Sequence, residues 1–527
     1  MNIVGALLIV AGAVVVAGTA RRLRWPVPLV LVLVGLALSA IPAFPGIELN
    51  PDLVLFVFLP PLLYSAALES SYLSIRANLR PIALLSVGLV LFTTVVVGLV
   101  AHALIPQLPL PAAFVLGAIV APPDAVAATA VGRTLGLPRS ILTILSGESL
   151  LNDATALTAY QVAVAAVVAS QFSFDRAMGT FALATVGGVV LGGAVAWMVL
   201  RLLALFDDAV LENAVSLLTP FVAFALAEET HASGVLAVVV AGLVIGHQTP
   251  RTLSYVARLQ SETIWRMIDF LLEAVVFFVI GLQLTTAVGN VAESGSRIEL
   301  FRWSAVLLLV VMVSRFVWIY PAMYLPRLIP SIARREPPPT WQATTVIGWA
   351  GMRGVVSMAA AVALPRTTSS GEPFPERTLI IFLTFVVVIG TLVLQGFSLP
   401  WVIRKLNVVG REEETDNLAE AEAQHHATQA AVDRLEALLA AEPDIADDVV
   451  DRLRTRTQRR SSVAWERLGS TGSGEAPSAT YTRLRREMLE AERQAFLRLR
   501  DEGRLDDEVL RRVHRELDLE EALLSRE

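Results

Sequence analysis

The stretch Ser146–Leu157, SGESLLNDATAL, lies inside an apolar run that begins with ILTIL and continues into TAYQVAVAAVVAS. Glu148, Asn152 and Asp153 are foreign to lipid. Helical spacing relates them: positions 148 and 152 are one turn apart, as are 149 and 153. Glu148, Ser149, Asn152 and Asp153 therefore share one sector of a helix. A charge at the bilayer centre costs about 2.5–3.5 kcal/mol on insertion scales, so this stripe faces protein. Interhelical hydrogen bonds alone explain one or two polar residues. Two acids among four point instead to a hydrated path.

Composition places the stripe in a membrane. Of 527 residues, 55% are hydrophobic and only 17% charged, against about 25% charged in a soluble chain. The apolar residues cluster into thirteen segments, at roughly 2–20, 27–44, 53–68, 81–104, 111–131, 140–169, 177–200, 213–228, 233–248, 267–287, 303–325, 342–365 and 378–403. Most are long enough to cross a hydrocarbon core of about 30 Å as helices. The expected fold is all-α and polytopic, with about 13 transmembrane helices. The first segment precedes its basic residues, which reads as a retained span and not a cleaved signal. With no cysteine, disulfides, thiolate metal sites and cysteine nucleophiles are excluded. The six histidines have no spacing that pairs metal or haem ligands on a buried helical face.

Charge divides the chain near residue 410. Residues 1–410 carry 23 Lys and Arg against 20 Asp and Glu, and residues 411–527 carry 19 against 28. A membrane domain, 1–410, is thus followed by an acidic helical domain, 411–527. The tail reads as a helix at about 416–441, a STGSGEAPS linker and a helical hairpin, with Gly503 as helix stop and Asp506 or Asp507 as the next N-cap. Its basic residues are interleaved with more numerous acids, which disfavours nucleic acid. A solvated helical pair is the first reading, and an unknown regulator of the tail the alternative. With the N-terminus outside, inner loops hold sixteen Lys and Arg and outer loops five. The positive-inside rule then puts the tail in the cytoplasm.

Two segments are interrupted. In the fifth, AIVAPPDAVAATAV, Pro122 and Pro123 lack backbone N–H groups and unwind the helix beside Asp124. In the twelfth, GWAGMRGVVSMAAAVALP, three glycines surround Arg353. Non-helical backbone at membrane depth is tolerated only where it is buried or lines a cavity. Freed carbonyls and the Asp124 carboxylate make an oxygen-lined place for a hard cation. The breaks lie seven segments apart, as they would in inverted repeats with two crossing broken helices. Arg353 needs a carboxylate, and Glu148 is the candidate, a pairing expected to be structural. Arg315 and Glu273 are further intramembrane charges, a second candidate pair. Glu69 and Glu229, near segment ends, are expected at wetted surfaces.

FLPPLLYSAALE, VAPPDAVAATAV, SGESLLNDATAL, SGVLAVVVAGLVIG, FFVIGLQL and GMRGVVSMAAAVALP, in that order over residues 58–365, resemble the successive signatures of the cation/proton antiporter 1 family, the sodium/proton exchangers. The tail hairpin resembles the cytoplasmic end of a bacterial branch. The resemblance implies thirteen helices with inverted repeats, a homodimer in the bacterial plasma membrane, an elevator-like core movement, no cofactor, and exchange of Na+ for H+. By motif it assigns Asp153 as the acid holding cation or proton alternately and Asp124 as the acid at the crossing. Ser149 becomes an ion-coordinating hydroxyl, Asn152 the neighbour that marks electroneutral one-for-one exchange, and Glu148–Arg353 the buried ion pair. Many members have Thr-Asp-Pro where this chain has Pro123-Asp124-Ala125. The threonine hydroxyl is lost and the Pro123 main-chain carbonyl remains, which leaves K+ as an alternative to Na+.

Mechanistically, a bare carboxylate is penalised away from water. An acid that must carry either a proton or a cation to cross makes exchange obligatory. The competing reading is a cation channel gated by the tail, which the absence of a repeated carbonyl-filter sequence disfavours. A membrane-bound enzyme lacks any nucleophile–base pair or metal cluster.

Overall fold

The computed structural model describes residues 3–23, 25–39, 41, 54–168, 174–206, 208–292, 297–334, 339–408, 410, 412–441, 446–455, 457, 477–502, 504–505 and 507–524. It divides into two units, Met1–Val409 and Gly410–Glu527.

In the first unit every apolar segment contains a helix or a pair of half-helices. The chain begins with α1 (Ile3–Arg22), α2 (Val27–Ser39), α3 (Leu59–Glu69) and α4 (Leu79–Leu104). The fifth segment is split into α5 (Leu110–Val120) and α6 (Val126–Thr134), with five non-helical residues between them. Then follow α7 (Arg139–Val168), α8 (Phe174–Leu203), α9 (Ala209–Glu229), α10 (Gly234–Thr252), α11 (Tyr255–Ala292) and α12 (Arg297–Tyr324). The twelfth segment is split into α13 (Trp341–Trp349) and α14 (Val355–Val362), before the last membrane helix, α15 (Arg377–Leu406). Among the described residues, seven helices are long and apolar enough to cross a membrane, and α2, α5 and the stretch Phe56–Glu69 are shorter apolar helices. The protein is a multi-pass membrane protein.

Three clusters hold this unit together. Tyr64, Val195, Ala223 and Val238 join α3, α8, α9 and α10. Val97, Leu116, Leu307 and Leu383 join α4, α5, α12 and α15. Ala13, Leu31, Phe278, Ile347 and Val388 tie α1, α2 and α11 to α13 and α15. Lipid offers no hydrophobic drive between helices, so close approach of backbones matters more. At the α2–α11 contact, a methyl group on Gly35 would strike the Phe278 carbonyl, and one on Gly281 the Val32 carbonyl. Only glycine fits on either side.

The second unit contains α16 (Glu412–Ala441) and a helical hairpin of α17 (Pro477–Asp501) and α18 (Asp507–Leu524). The hairpin buries Leu489, Leu517 and Leu524 beside Phe496. Arg485 and Arg493 bind acids across it. Gly503, Asp506 and most of the STGSGEAPS linker lie outside the described residues.

Candidate ion-binding site

The two interruptions meet. The Asp124 N–H, in the first break, donates to the Met352 carbonyl, in the second, at 2.6 Å. Each break leaves a half-helix C-terminus with free carbonyls and a half-helix N-terminus with free N–H groups. The aligned peptide dipoles give these ends about half an elementary charge each, negative and positive respectively. Asp124 serves the positive ends. Its Oδ1 accepts from Val126 N at 2.9 Å, at the first residue of α6. A methyl group on Gly354, at the start of α14, would overlap its carboxylate, so Gly354 is what lets α14 approach.

Arg353 serves the negative ends. Its guanidinium is buried and donates to the Val120 carbonyl at 3.0 Å, to Ala121 O at 3.4 Å and to Gly351 O. Its backbone N–H donates to Thr391 Oγ1 at 3.1 Å. This corrects the pairing expected from the sequence. The partner of Glu148 is Arg315, through a two-pronged contact of 2.5 and 2.9 Å. Arg315 also donates to Ile347 O at 3.2 and 3.0 Å, another carbonyl near the end of α13. Arg353 sits in the break itself, where unsatisfied carbonyls claim all its reach. Arg315, on the intact α12, arrives beside α7 with both Nη atoms in reach of Glu148. Nor does Arg315 pair with Glu273, which lines the cavity described below.

The polar stripe on α7 divides its work by position. Glu148 is 1% exposed and fully engaged. Asn152 is completely buried, and its Nδ2 donates to the Pro123 carbonyl at 2.7 Å. The carbonyl expected to face an ion therefore also ties α7 to the first break. Ser149 Oγ accepts from Ala125 N at 3.2 Å, a second tie. Asp153 is 8% exposed, and among the described residues no hydrogen bond or ion pair engages its carboxylate. It lines a cavity of about 850 Å³ together with Asp124, Ser149 and Pro123.

α3 and α11 also line that cavity, through Ser65, Glu69, Asp269 and Glu273. Glu273 was singled out by sequence, and Asp269 was not. The signal for Asp269 was its position one turn before Glu273. Glu212 was also missed. It is 2% exposed at the start of α9 and accepts from Ser254 N at 3.0 Å and Ser254 Oγ at 3.1 Å. Glu69 and Glu229 are exposed, as their places at segment ends suggest.

Two broken helices crossing inside a helical membrane bundle, beside a buried carboxylate with no partner among the described residues, define a secondary transporter for cations. The chain belongs to the sodium/hydrogen exchanger family: the family model described as "Sodium/hydrogen exchanger, transmembrane" matches residues 8–405. A Mycobacterium tuberculosis protein named as a Na+/H+ exchanger is 36% identical over 99% of this chain and 96% of its own length. A sodium, potassium, lithium and rubidium/H+ antiporter of Bacillus pumilus is 34% identical over 72% of this chain and 58% of its own. The sodium/proton antiporter MjNhaP1 of Methanocaldococcus jannaschii shares the fold, with a TM-score of 0.61 at 19% identity over 76% of this chain and 98% of that one. This membership makes the protein a cation/proton exchanger, a transporter and not an enzyme.

Proposed function

We propose that the protein exchanges one Na+ for one H+ across a bacterial plasma membrane, for pH and sodium homeostasis. In this reading it works as a homodimer with the N-terminus outside and the acidic tail, Gly410–Glu527, as a separate cytoplasmic domain. One observation carries it: of the two acids on α7, Glu148 is locked to Arg315, while Asp153 is buried, without a partner among the described residues, and lines the cavity.

Asp153 then alternates between proton and cation. Bare, it is costly to move through a low-dielectric interior. Neutralised by either partner, it moves. Asp124 and Ser149 supply further oxygen donors, the ligand type a hard cation takes. Asn152 puts no second titratable charge next to Asp153, and Glu148 is held by Arg315, which supports one-for-one exchange. Glu148–Arg315 and Arg353 hold the crossing, so the site moves as one piece. The loop-charge asymmetry supports the orientation. Under it the cavity reaches toward the cytoplasmic side, because Arg133 and Arg139, both inner-loop residues, are among those that line it.

The test is proton flux in proteoliposomes holding the full-length protein, with Na+, K+ and Li+ added in turn. Na+ is expected to dissipate an imposed pH gradient, at a rate independent of membrane potential. Asp153→Asn is expected to abolish that flux in a protein that still folds. Wild-type flux from Asp153→Asn would overturn the assignment, and a response to K+ alone would replace the cargo.

A further inference from the structure

We propose that the α11 side of the cavity is a second monovalent-cation position, formed by Asp269 and Glu273, where the ion waits before reaching Asp153. The proposal rests on the exchange reading above. Asp269 and Glu273 are one turn apart, so they share a face, and both line the cavity that Asp124 and Asp153 also line. Asp269 is oriented: its Oδ2 accepts the Ser65 hydroxyl of α3. Its Oδ1 is buried and has no partner among the described residues. Glu273 lies within electrostatic reach of both Asp124 and Asp269, so the α11 acids and the crossing feel each other's charge. Arg21 is also within reach of Glu273, but its guanidinium lies over the Phe270 ring, 4.2 Å from the centroid. No ion pair involving Asp269 or Glu273 is present among the described residues.

A separate observation points to an occupant. Ser357, in the first turn of α14, is 1% exposed and lines the same cavity, and its Oγ has no partner among the described residues. A buried hydroxyl without a partner is costly, and a water or an ion in the cavity is placed to supply one. The space is ample. A water occupies about 30 Å³ in the liquid, so about 850 Å³ holds a cation with much of its hydration. Carboxylate oxygens facing a wet cavity attract a small hard cation without stripping it. That suits a position that must fill quickly and release onward, whereas Asp153 is the more enclosed and binds last.

Direct 22Na+ binding to purified full-length protein is the deciding measurement. Asp153→Asn, which removes exchange, is expected to keep a Na+-binding event, and the double variant Asp153→Asn with Glu273→Gln to lose it. In proteoliposomes, Glu273→Gln is expected to raise the half-saturating Na+ concentration about tenfold, equivalent to about 1.4 kcal/mol, more than it lowers the saturating rate. Glu273→Asp should recover most of that shift, which separates ion attraction from damaged folding. Asp269→Asn should act in the same direction. No Na+ binding to Asp153→Asn, or an unmoved half-saturation in Glu273→Gln, would overturn the second position. Absence of Na+-driven flux in the wild type would sink the exchange reading, while the binding measurement would still judge the α11 wall.

Discussion

The same arginine–carboxylate fork occurs in two settings. In the membrane unit Arg315 grips Glu148 with contacts of 2.5 and 2.9 Å, and in the tail hairpin Arg485 grips Glu520 at 2.7 and 2.9 Å. The distances are nearly alike and the surroundings are not. The side chains are 0% and 2% exposed in the first pair, and 19% and 43% in the second. Water already solvates the tail pair when it is apart, so forming it gains little. The membrane pair has no such alternative: once the helices are packed, either charge alone is stranded. Distance therefore does not rank these contacts. What the charges would meet on separation does.

The comparison breaks first at Arg315. Arg315→Met strands Glu148, and such a loss costs about 3–5 kcal/mol. It should appear as poor yield and early melting in detergent. The double variant Glu148→Leu with Arg315→Met should recover much of the loss, because it removes the charge as well as its partner. A double variant as unstable as the single one would mean that the fork adds net stability and does not merely avoid a stranded charge. Arg353 sharpens the point, since it is a buried arginine served by carbonyls and not by an acid. Arg353→Gln leaves carbonyls of Val120 and Ala121 unanswered, at about 1–3 kcal/mol for each group left unpaired. Arg353→Lys keeps the charge for the half-helix ends and should lose less. Equal losses in both would mean that the planar fork, not the charge, holds the crossing.

These contrasts also mark what could be read from the sequence. Periodicity located the apolar segments, because each helix must bury its own backbone bonds in lipid. Pro122, Pro123 and the glycines around Arg353 located both breaks, because their effect on the backbone is local. The polar stripe on α7 was legible for the same reason: neighbours one turn apart need no tertiary information. The partner of Glu148 was not legible. Arg353 and Arg315 are both buried arginines on later segments, and the choice depends on how α12 and the second break rotate against α7. Asp269 escaped because an acid two residues inside a segment end resembles one at the membrane surface. Only the placement of α3 beside α11 turns it toward the cavity.

The smallest effect expected is at the exposed fork, and pH gives it a sign. The hydrogen bonds from Arg485 hold the Glu520 carboxyl below its ordinary range, since they favour the charged form. A group depressed in this way contributes stability that is fully present above its unfolded value, about 4.3 for glutamate. That contribution is lost as pH falls through the lower folded value. The hairpin should therefore hold steady at neutral pH and loosen only below about pH 4.3. Amide hydrogen exchange across α17 and α18 in the full-length protein can follow this, between near-neutral and acidic buffers. Arg485→Ala should change exchange little at neutral pH, and high salt should erase even that, because screening acts strongly on exposed charges. It should also remove the part of the acid response that comes from Glu520. If Arg485→Ala loosens the hairpin as much as Arg315→Met disturbs the membrane unit, the surroundings do not set the worth of the fork, and the contrast between the two regions fails.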